Sequence, residues 1–374
     1  MKRSESDCNV LLLADRFAVR GSSRHTLNLA QRLPELGVHP AICCADAHLI
    51  PDGQRQGLEI REVPYLTSPV AGRLVEYLLA RDLSRDPPDL IHVQQRTMLP
   101  IGRRLAYRLQ RPYVVSVQDY LGSDETLHFE WVWCRRIVAV SDSVRQELIS
   151  RASIPNDRVI AIQSGVETDV DERSYDVLEP DQVPVIGTAG PLEAAKGLRY
   201  FVDAAATVLK TYPAAEFLIA GAGPEESNLR RQVRDLGIVE HVTFVPEEMD
   251  VGGSLLAMDI YVLPSIKQGL GTMMLEAMVR GRPVIATSAG GVYSVVSDNE
   301  TGLLVPPRDS QMLAQRIIEL LDDPLRARRI GRAARDMVCA QFPVARMVEQ
   351  TAELYRDVLA EGPSDTPESL TSGA

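Results

Sequence analysis

Lysine is scarce in this chain. Only Lys2, Lys196, Lys210 and Lys267 occur among 40 basic residues, so arginine carries nearly all the positive charge. Positive charge is itself outweighed, and the net charge is −11. Acidic and basic residues balance through Asp169, so the excess acid lies in the second half, which argues against a nucleic-acid partner. The five cysteines, Cys8, Cys43, Cys44, Cys134 and Cys339, form no CxxC and no His-rich spacing, which excludes a zinc or disulfide framework. Cys43 and Cys44 fall in a strand-like run that turns them to opposite faces, as reduced core residues. No 18-residue apolar run exists, and the opening MKRSESDC has no apolar segment of signal-peptide type, so a cytoplasmic location is expected. What is present is ordinary: 374 residues, 45% apolar and 24% charged, enough for two domains each with its own core.

The stretch from Pro264 to Thr287 organises the rest. Tyr261-Val262-Leu263 reads as a strand, Gly269 and Gly271 permit a tight loop with Leu270 between them, and Thr272 reads as the N-cap of a helix to about Arg280. Gly281 and Pro283 stop that helix, and Val284 to Thr287 reads as a second buried strand. A loop-to-helix junction at a strand's C-terminal end offers free N–H groups and a positive helix dipole, which suits phosphate. Glu276, about one turn into the helix, can accept hydrogen bonds from two neighbouring hydroxyls, as on a ribose. The plainer alternative is a helix-surface charge. The stretch resembles the signature of the retaining nucleotide-sugar glycosyltransferases of family 4, a Glu, seven residues, then Glu; here the second is Glu276 and the first is replaced by Gln268.

The resemblance implies an α/β protein of GT-B fold, two Rossmann-like domains with a cleft between them, and it covers nearly all of residues 9–360. Asn9 to Ala14 reads as a first strand, followed by a loop to Ser23, a helix from about Arg24 to Leu36 and a strand from Pro40 to Ala45. The family's paired-glycine loop corresponds to Gly21-Ser22, where the serine restricts backbone approach to donor phosphates. Pro88 to Val93 is a buried strand whose His92 fits the family. Arg103 to Leu109 is a basic amphipathic helix, with further arginines at 73, 81, 85, 96 and 111. A solvated arginine face is the favoured reading; the other is contact with anionic lipid or a lipid-linked acceptor.

Pro112 to Tyr120 runs into a loop where the family commonly has a His near the transferring sugar. Here Gln118 replaces it, able to hydrogen-bond but not to shuttle protons. Asp119 and His128 read as loop residues. Ser164 stands where the family usually has Asn. Residues 1–166 form the expected acceptor-side domain and 167–184 an acidic linker. The Asp169-Val170-Asp171 pattern in that linker reads as a chance match to a metal motif. Residues 185–342 form the nucleotide-sugar domain, 343–360 a helix bracing the first domain, and 361–374 a disordered tail.

In the second domain Lys196 is retained, but the family's diphosphate-binding Arg is Pro191. An ammonium suits a leaving phosphate, and Lys267 is a candidate to compensate for the missing Arg. Gly221 and Gly223 follow a strand in the family order. Gly290-Gly291 also match, with Ser294 in place of the usual Glu. The resemblance therefore places Lys196, Gln268 and Gln118 at the catalytic centre. It places Gly21, Ser22, Lys196, Gly221, Gly223, Gln268, Gly269, Leu270, Gly271, Thr272 and Glu276 around the donor. Neither a cofactor nor a metal is expected; the partners are a nucleotide-sugar donor and a glycan or lipid-linked acceptor, with peripheral membrane contact. The implied function is retaining sugar transfer in cell-surface polysaccharide or glycolipid assembly. Because Gln118, Ser164, Pro191 and Gln268 all depart from the family at the site, the alternative is a catalytically silent GT-B protein that binds nucleotide or glycan or scaffolds a partner. A nucleotide-sugar epimerase on the same fold is the third reading, and the Gln replacements argue against it.

Overall fold

The structure is a computed structural model describing residues 7–17, 21–122, 125–170, 177–246 and 252–361. It divides into two compact units. One comprises Met1–Phe17, His25–Ile162 and Met347–Ala374, the other Ala18–Arg24 and Gln163–Arg346.

The first unit is built from β1 (Cys8–Leu13), α1 (Gly21–Arg32), β2 (Val38–Cys44), α2 (Asp52–Arg55), β3 (Glu59–Glu62), α3 (Gly72–Leu83), β4 (Leu90–Val93), α4 (Leu99–Leu109), β5 (Tyr113–Val117), β6 (Cys134–Ala139), α5 (Asp142–Ser150) and β7 (Val159–Ala161). Its seven strands are parallel, in the order β3-β2-β1-β4-β5-β6-β7. Every residue of β4 and β5 is buried, as expected of strands covered on both faces. The cysteines are free, and Cys8, Cys43, Cys44 and Cys134 are buried.

α1 is already helical at Gly21, so Gly21 and Ser22 lie in the helix rather than in a loop. It also ends sooner. Pro34 lies in the 3₁₀ turn Leu33–Leu36, and Gly37, at φ 77°, closes it. β3 and α3 have no counterpart in the sequence reading. α5 is capped by Ser141, whose hydroxyl accepts from the Val144 N–H at 3.3 Å.

The second unit contains β8 (Val185–Ala189), α6 (Leu198–Val208), β9 (Glu216–Ala220), α7 (Glu226–Asp235), β10 (Val242–Val245), α8 (Gly252–Leu256), β11 (Ile260–Leu263), α9 (Thr272–Val279), β12 (Val284–Thr287), β13 (Leu303–Val305), α10 (Ser310–Asp322) and α11 (Pro324–Gln341). Its six parallel strands run β10-β9-β8-β11-β12-β13. Residues 177–184 are held to this unit: the Asp259 carboxylate accepts from the N–H groups of Leu178 and Val185 at 2.7 and 2.8 Å. Arg328 donates to the Val177 carbonyl at 2.8 Å. Asp171, the linker stretch 171–176 and the tail from 362 onward lie outside the described residues.

The chain passes back to the first unit within α12 (Val344–Ala360). There Tyr355 joins a buried chain: its hydroxyl meets His92 Nδ1 at 2.5 Å, and His92 Nε2 meets the Ser116 hydroxyl at 2.8 Å. Burial pushes the His92 imidazole down to about 3, so it stays neutral. Val93, the next residue, points the other way. A Cβ on Gly102 would lie 2.3 Å from its methyl, so α4 packs on the face of β4 opposite α12.

Candidate functional site

In an open parallel sheet, ligands bind beyond the carboxyl ends of the strands where strand order reverses. In the second unit that place is between β8 and β11. The loops leaving these strands lock together there. A Cβ on Gly197 would lie 2.1 Å from the Pro264 carbonyl, and the Ile266 N–H donates to the Ala195 carbonyl at 2.9 Å. Gly197 also sits at φ 63°, so both its conformation and its neighbour require glycine.

This locking brings Lys196 to Gln268. The Lys196 ammonium donates to Gln268 Oε1 at 3.2 Å, and the Ser265 hydroxyl donates to the same oxygen at 2.9 Å. Gln268 is only 8% exposed. The amide oxygen is thus occupied twice, and the group Gln268 turns to a ligand is its NH₂. Lys267, in contrast, is exposed.

α9 begins at the same edge. Its N-cap is Gly271, in the left-handed region at φ 91°, and Thr272 is the first helical residue rather than the cap. All eight residues of α9 are buried, and Leu270 before it is a core residue. Glu276 is 2% exposed, which rules out a surface charge. Its Oε2 accepts from Arg280 Nη1 at 2.6 Å, and its Oε1 lies 3.7 Å from Arg24 Nε. One hydrogen bond and one longer ion pair leave acceptor capacity on the carboxylate for hydroxyl groups.

Arg24 belongs to the 18–24 segment that groups with this unit, and so does Gly21. A Cβ on Gly21 would lie 2.6 Å from Thr272 Oγ1, so within this unit glycine is what permits the approach to Thr272. The N-terminus of α9 stands beside the Lys196 loop, a suitable setting for anionic groups. Ser22 follows Gly21 in the same turn, half-buried.

Gly221 and Gly223 have a different job. A Cβ on Gly221 would lie 2.1 Å from the Gly190 carbonyl, and one on Gly223 would lie 2.4 Å from the Leu192 carbonyl. They let the loop after β9 pack against the loop after β8 and so support the Lys196 loop from behind. Gly269 is similarly enclosed: a Cβ on Gly291 would lie 1.6 Å from its carbonyl, and the Gly291 N–H donates to the Gln268 carbonyl at 3.0 Å. Ser294, in place of the family's Glu, turns its hydroxyl onto the Gly291 carbonyl at 2.7 Å.

Gln118 belongs to the first unit. It follows β5, half-buried, and its Nε2 donates to the Gln94 carbonyl at 3.5 Å. Gln94 is fully buried after β4, where its Oε1 accepts from the Thr26 hydroxyl at 3.2 Å and its Nε2 has no hydrogen-bond partner among the described residues. Sequence reasoning missed Gln94, Arg24, Arg280 and Ser265. Arg280 and Ser265 meet their partners locally, at i+4 from Glu276 and three residues before Gln268; Arg24 and Gln94 meet theirs through tertiary structure.

The described residues contain no group of three or more His, Cys, Asp or Glu placed to hold a metal ion, and no helix among them is long and apolar enough to cross a membrane.

Comparison with known proteins gives the same picture. Residues 19–170 match the family model "Glycosyltransferase Family 4", and residues 169–337 match "Glycosyl transferases group 1". The chain is 28% identical over 279 residues to alpha-D-kanosaminyltransferase of Streptomyces kanamyceticus, covering 66% of this chain and 71% of that one. It is 36% identical over 185 residues to the GDP-mannose-dependent monoacylated alpha-(1-6)-phosphatidylinositol monomannoside mannosyltransferase of Corynebacterium glutamicum, covering 47% of this chain and about half of the relative, 48%. The crystal structure of Anabaena Alr3699/HepE in complex with UDP-glucose superposes with a TM-score of 0.80 at 20% identity, covering 94% of this chain and all of that one. That likeness is one of fold, and the fold is GT-B. With two consecutive models together covering residues 19–337, the chain belongs to the family 4-type glycosyltransferases.

Proposed function

We propose that the protein transfers a sugar from a nucleoside-diphosphate donor to an acceptor hydroxyl with retention of anomeric configuration. The observation that carries this reading is the Lys196–Gln268 pair at the β8/β11 reversal, beside the start of α9 and the buried Glu276.

The chemistry follows from charge. As the glycosidic bond breaks, negative charge gathers on the diphosphate, and a fixed ammonium and oriented N–H groups favour that state over the ground state. Lys196 supplies the ammonium, and the Gly271-Thr272 end of α9 supplies the N–H groups. Glu276 accepts from ribose hydroxyls while Arg280 fixes its rotamer. The NH₂ of Gln268 donates to donor-sugar hydroxyls, holding the ring in place while its Oε1 stays on Lys196 and Ser265. The incoming acceptor hydroxyl gives its proton to the departing phosphate oxygen, so no separate protein base is required, and Gln118 orients without titrating. In this reading the protein's own cation and helix terminus take the phosphate charge, without a metal.

The catalytically silent alternative is not favoured, since the relatives of this chain are named as transferases. The mannosyltransferase of C. glutamicum takes a phosphatidylinositol mannoside by its name, and a structural neighbour at TM-score 0.73 is WaaG, named for lipopolysaccharide biosynthesis. These support a lipid-linked or glycan acceptor, met by peripheral contact with a membrane. The test is release of nucleoside diphosphate from a panel of nucleotide-sugars with and without membrane extract. Acceptor-dependent release from one donor, giving a product with the donor's anomeric configuration, is expected. Absence of release from every donor, or an inverted product, would contradict the proposal.

A further inference from the structure

α3 is apolar on two faces. Gly72, Glu76, Leu79, Ala80 and Leu83 are buried, while Leu74, Tyr77 and Leu78 are 64%, 53% and 51% exposed on the other side. Val70, just before the helix, is 91% exposed, and Tyr107 on the neighbouring α4 is 67% exposed. A surface helix ordinarily hides one stripe and leaves the other face polar. Here the uncovered stripe recurs at the helical spacing 74, 77 and 78, with Arg73 and Arg81 along the same side.

The charge around this stripe is predominantly positive. Residues 70–111 contain eight arginines and four carboxylates within a chain of net charge −11. Of those carboxylates, Glu76 is 1% exposed and already engaged by Arg104 at 2.5 Å and Arg108 at 3.5 Å, which also ties α3 to α4. Asp82 is held by Arg61 at 2.8 Å and Arg85 at 3.6 Å. Arg73 and Arg81 are exposed and make no ion pair among the described residues. Arg108 lies over the Tyr77 ring at 5.7 Å, so a guanidinium and an amphipathic aromatic are presented together.

We infer that the outer face of α3, with Tyr107 and Arg108 of α4, docks the first unit onto an anionic phospholipid surface. Leucine and tyrosine side chains enter the headgroup and acyl boundary, and the arginines take lipid phosphates in bidentate hydrogen bonds. A second copy of the chain is disfavoured as the occupant: a two-fold contact would set this patch against itself, arginine facing arginine. The helix predicted from sequence as basic, Arg103 to Leu109, therefore supports α3 through Arg104 on Glu76 and adds Tyr107 and Arg108 at the edge of the patch. The apolar contact comes from α3. This assignment gives residues to the peripheral membrane contact proposed above and rests on that part of the reading, not on the donor chemistry.

The test is flotation of the full chain with vesicles of phosphatidylcholine alone and of phosphatidylcholine mixed equally with phosphatidylglycerol. The wild type should float with the mixed vesicles and not with the neutral ones. A Leu74→Ser, Tyr77→Ser, Leu78→Ser variant should lose at least about tenfold in binding, and each of Arg73→Gln and Arg81→Gln about fivefold. Because these side chains are exposed, all variants should keep the wild-type melting temperature and nucleotide-sugar affinity. Equal flotation with both vesicle types, no flotation, or variants that bind as the wild type does would overturn the inference. So would a dimer in sedimentation that the triple variant converts to monomer. Flotation that persists in a protein binding no nucleotide-sugar would leave this surface standing and defeat the donor reading alone.

Discussion

The two units share a plan and differ in what they place at its reactive edge. Both are parallel sheets with a single reversal of strand order, at β1/β4 in one and β8/β11 in the other. Beyond β8 and β11 stand an ammonium, a buried carboxylate–guanidinium pair and loops packed so closely that glycines are required. Beyond β4 and β5 stand the amides Gln94 and Gln118, together with Arg96, which pairs with Glu125 at 2.8 Å and donates to the Asp119 and Tyr120 carbonyls, while His25 and His92 are buried and neutral. Topology supplies a strand-order reversal in each unit; in the second the loops add an ammonium and a buried carboxylate–guanidinium pair, and in the first the loop arginine is already paired with Glu125.

Breaking the buried pair should produce the largest effect. Glu276→Gln leaves Arg280, whose side chain is 11% exposed, without its counter-charge, and about 3–5 kcal/mol of stability should be lost in urea unfolding. The counterpart in the first unit is Glu76→Gln. Its partners Arg104 and Arg108 are 25% and 39% exposed and can rehydrate, so about 1–2 kcal/mol is expected. Equal losses would remove this distinction between the units.

Lys196→Ala comes next, with an expected fall of about 10²–10³-fold in kcat/KM and an unchanged melting temperature, as for loss of a transition-state charge partner. Gln118→Ala should cost about tenfold or less. A reversal of that ranking would move the chemistry to the first unit.

His92→Phe strands the Tyr355 and Ser116 hydroxyls in the core and should cost about 2 kcal/mol. It should also blunt acid sensitivity. Burial holds His25 at about 4 and His92 at about 3, below the unfolded value of 6.5. The unfolded chain therefore binds more protons between those values, and stability falls as pH drops from about 6.5 toward 4. Thermal melts across that range check the sign.

The smallest effect expected is from Gln268→Glu. A carboxylate would set a negative charge 3.2 Å from Lys196 and against the donor diphosphate, and donor affinity should fall by about fivefold, or about 1 kcal/mol. A gain in affinity would mean that Lys196 does not meet the diphosphate.

Much of this arrangement was legible in the sequence, for physical reasons that also explain what was not. β1, β4, β5, β11 and β12 are short buried apolar runs, and Gly281 and Pro283 mark the end of α9 in the letters themselves. α3 escaped because a helix apolar on two faces shows no single stripe, and β3, reading EIRE, because an edge strand with charged residues lacks the pattern. The start of α1 was misjudged because Gly21 and Ser22 read as a loop, whereas the close approach to Thr272 explains the glycine. Within the site, Lys196, Gln268 and Glu276 were found from their motif. The contact of Arg24 with Glu276 and the placing of Gln94 against Thr26 arise between residues far apart in sequence and had no local trace.

The central claim, that the second unit holds a nucleoside-diphosphate sugar through Lys196 and Glu276, is tested most directly by calorimetric titration with a panel of nucleoside diphosphates and nucleotide-sugars. Binding of one donor that both Lys196→Ala and Glu276→Ala weaken by at least about tenfold is the expected result. A folded wild-type protein that binds no member of the panel, or binds one equally well in both variants, would contradict it.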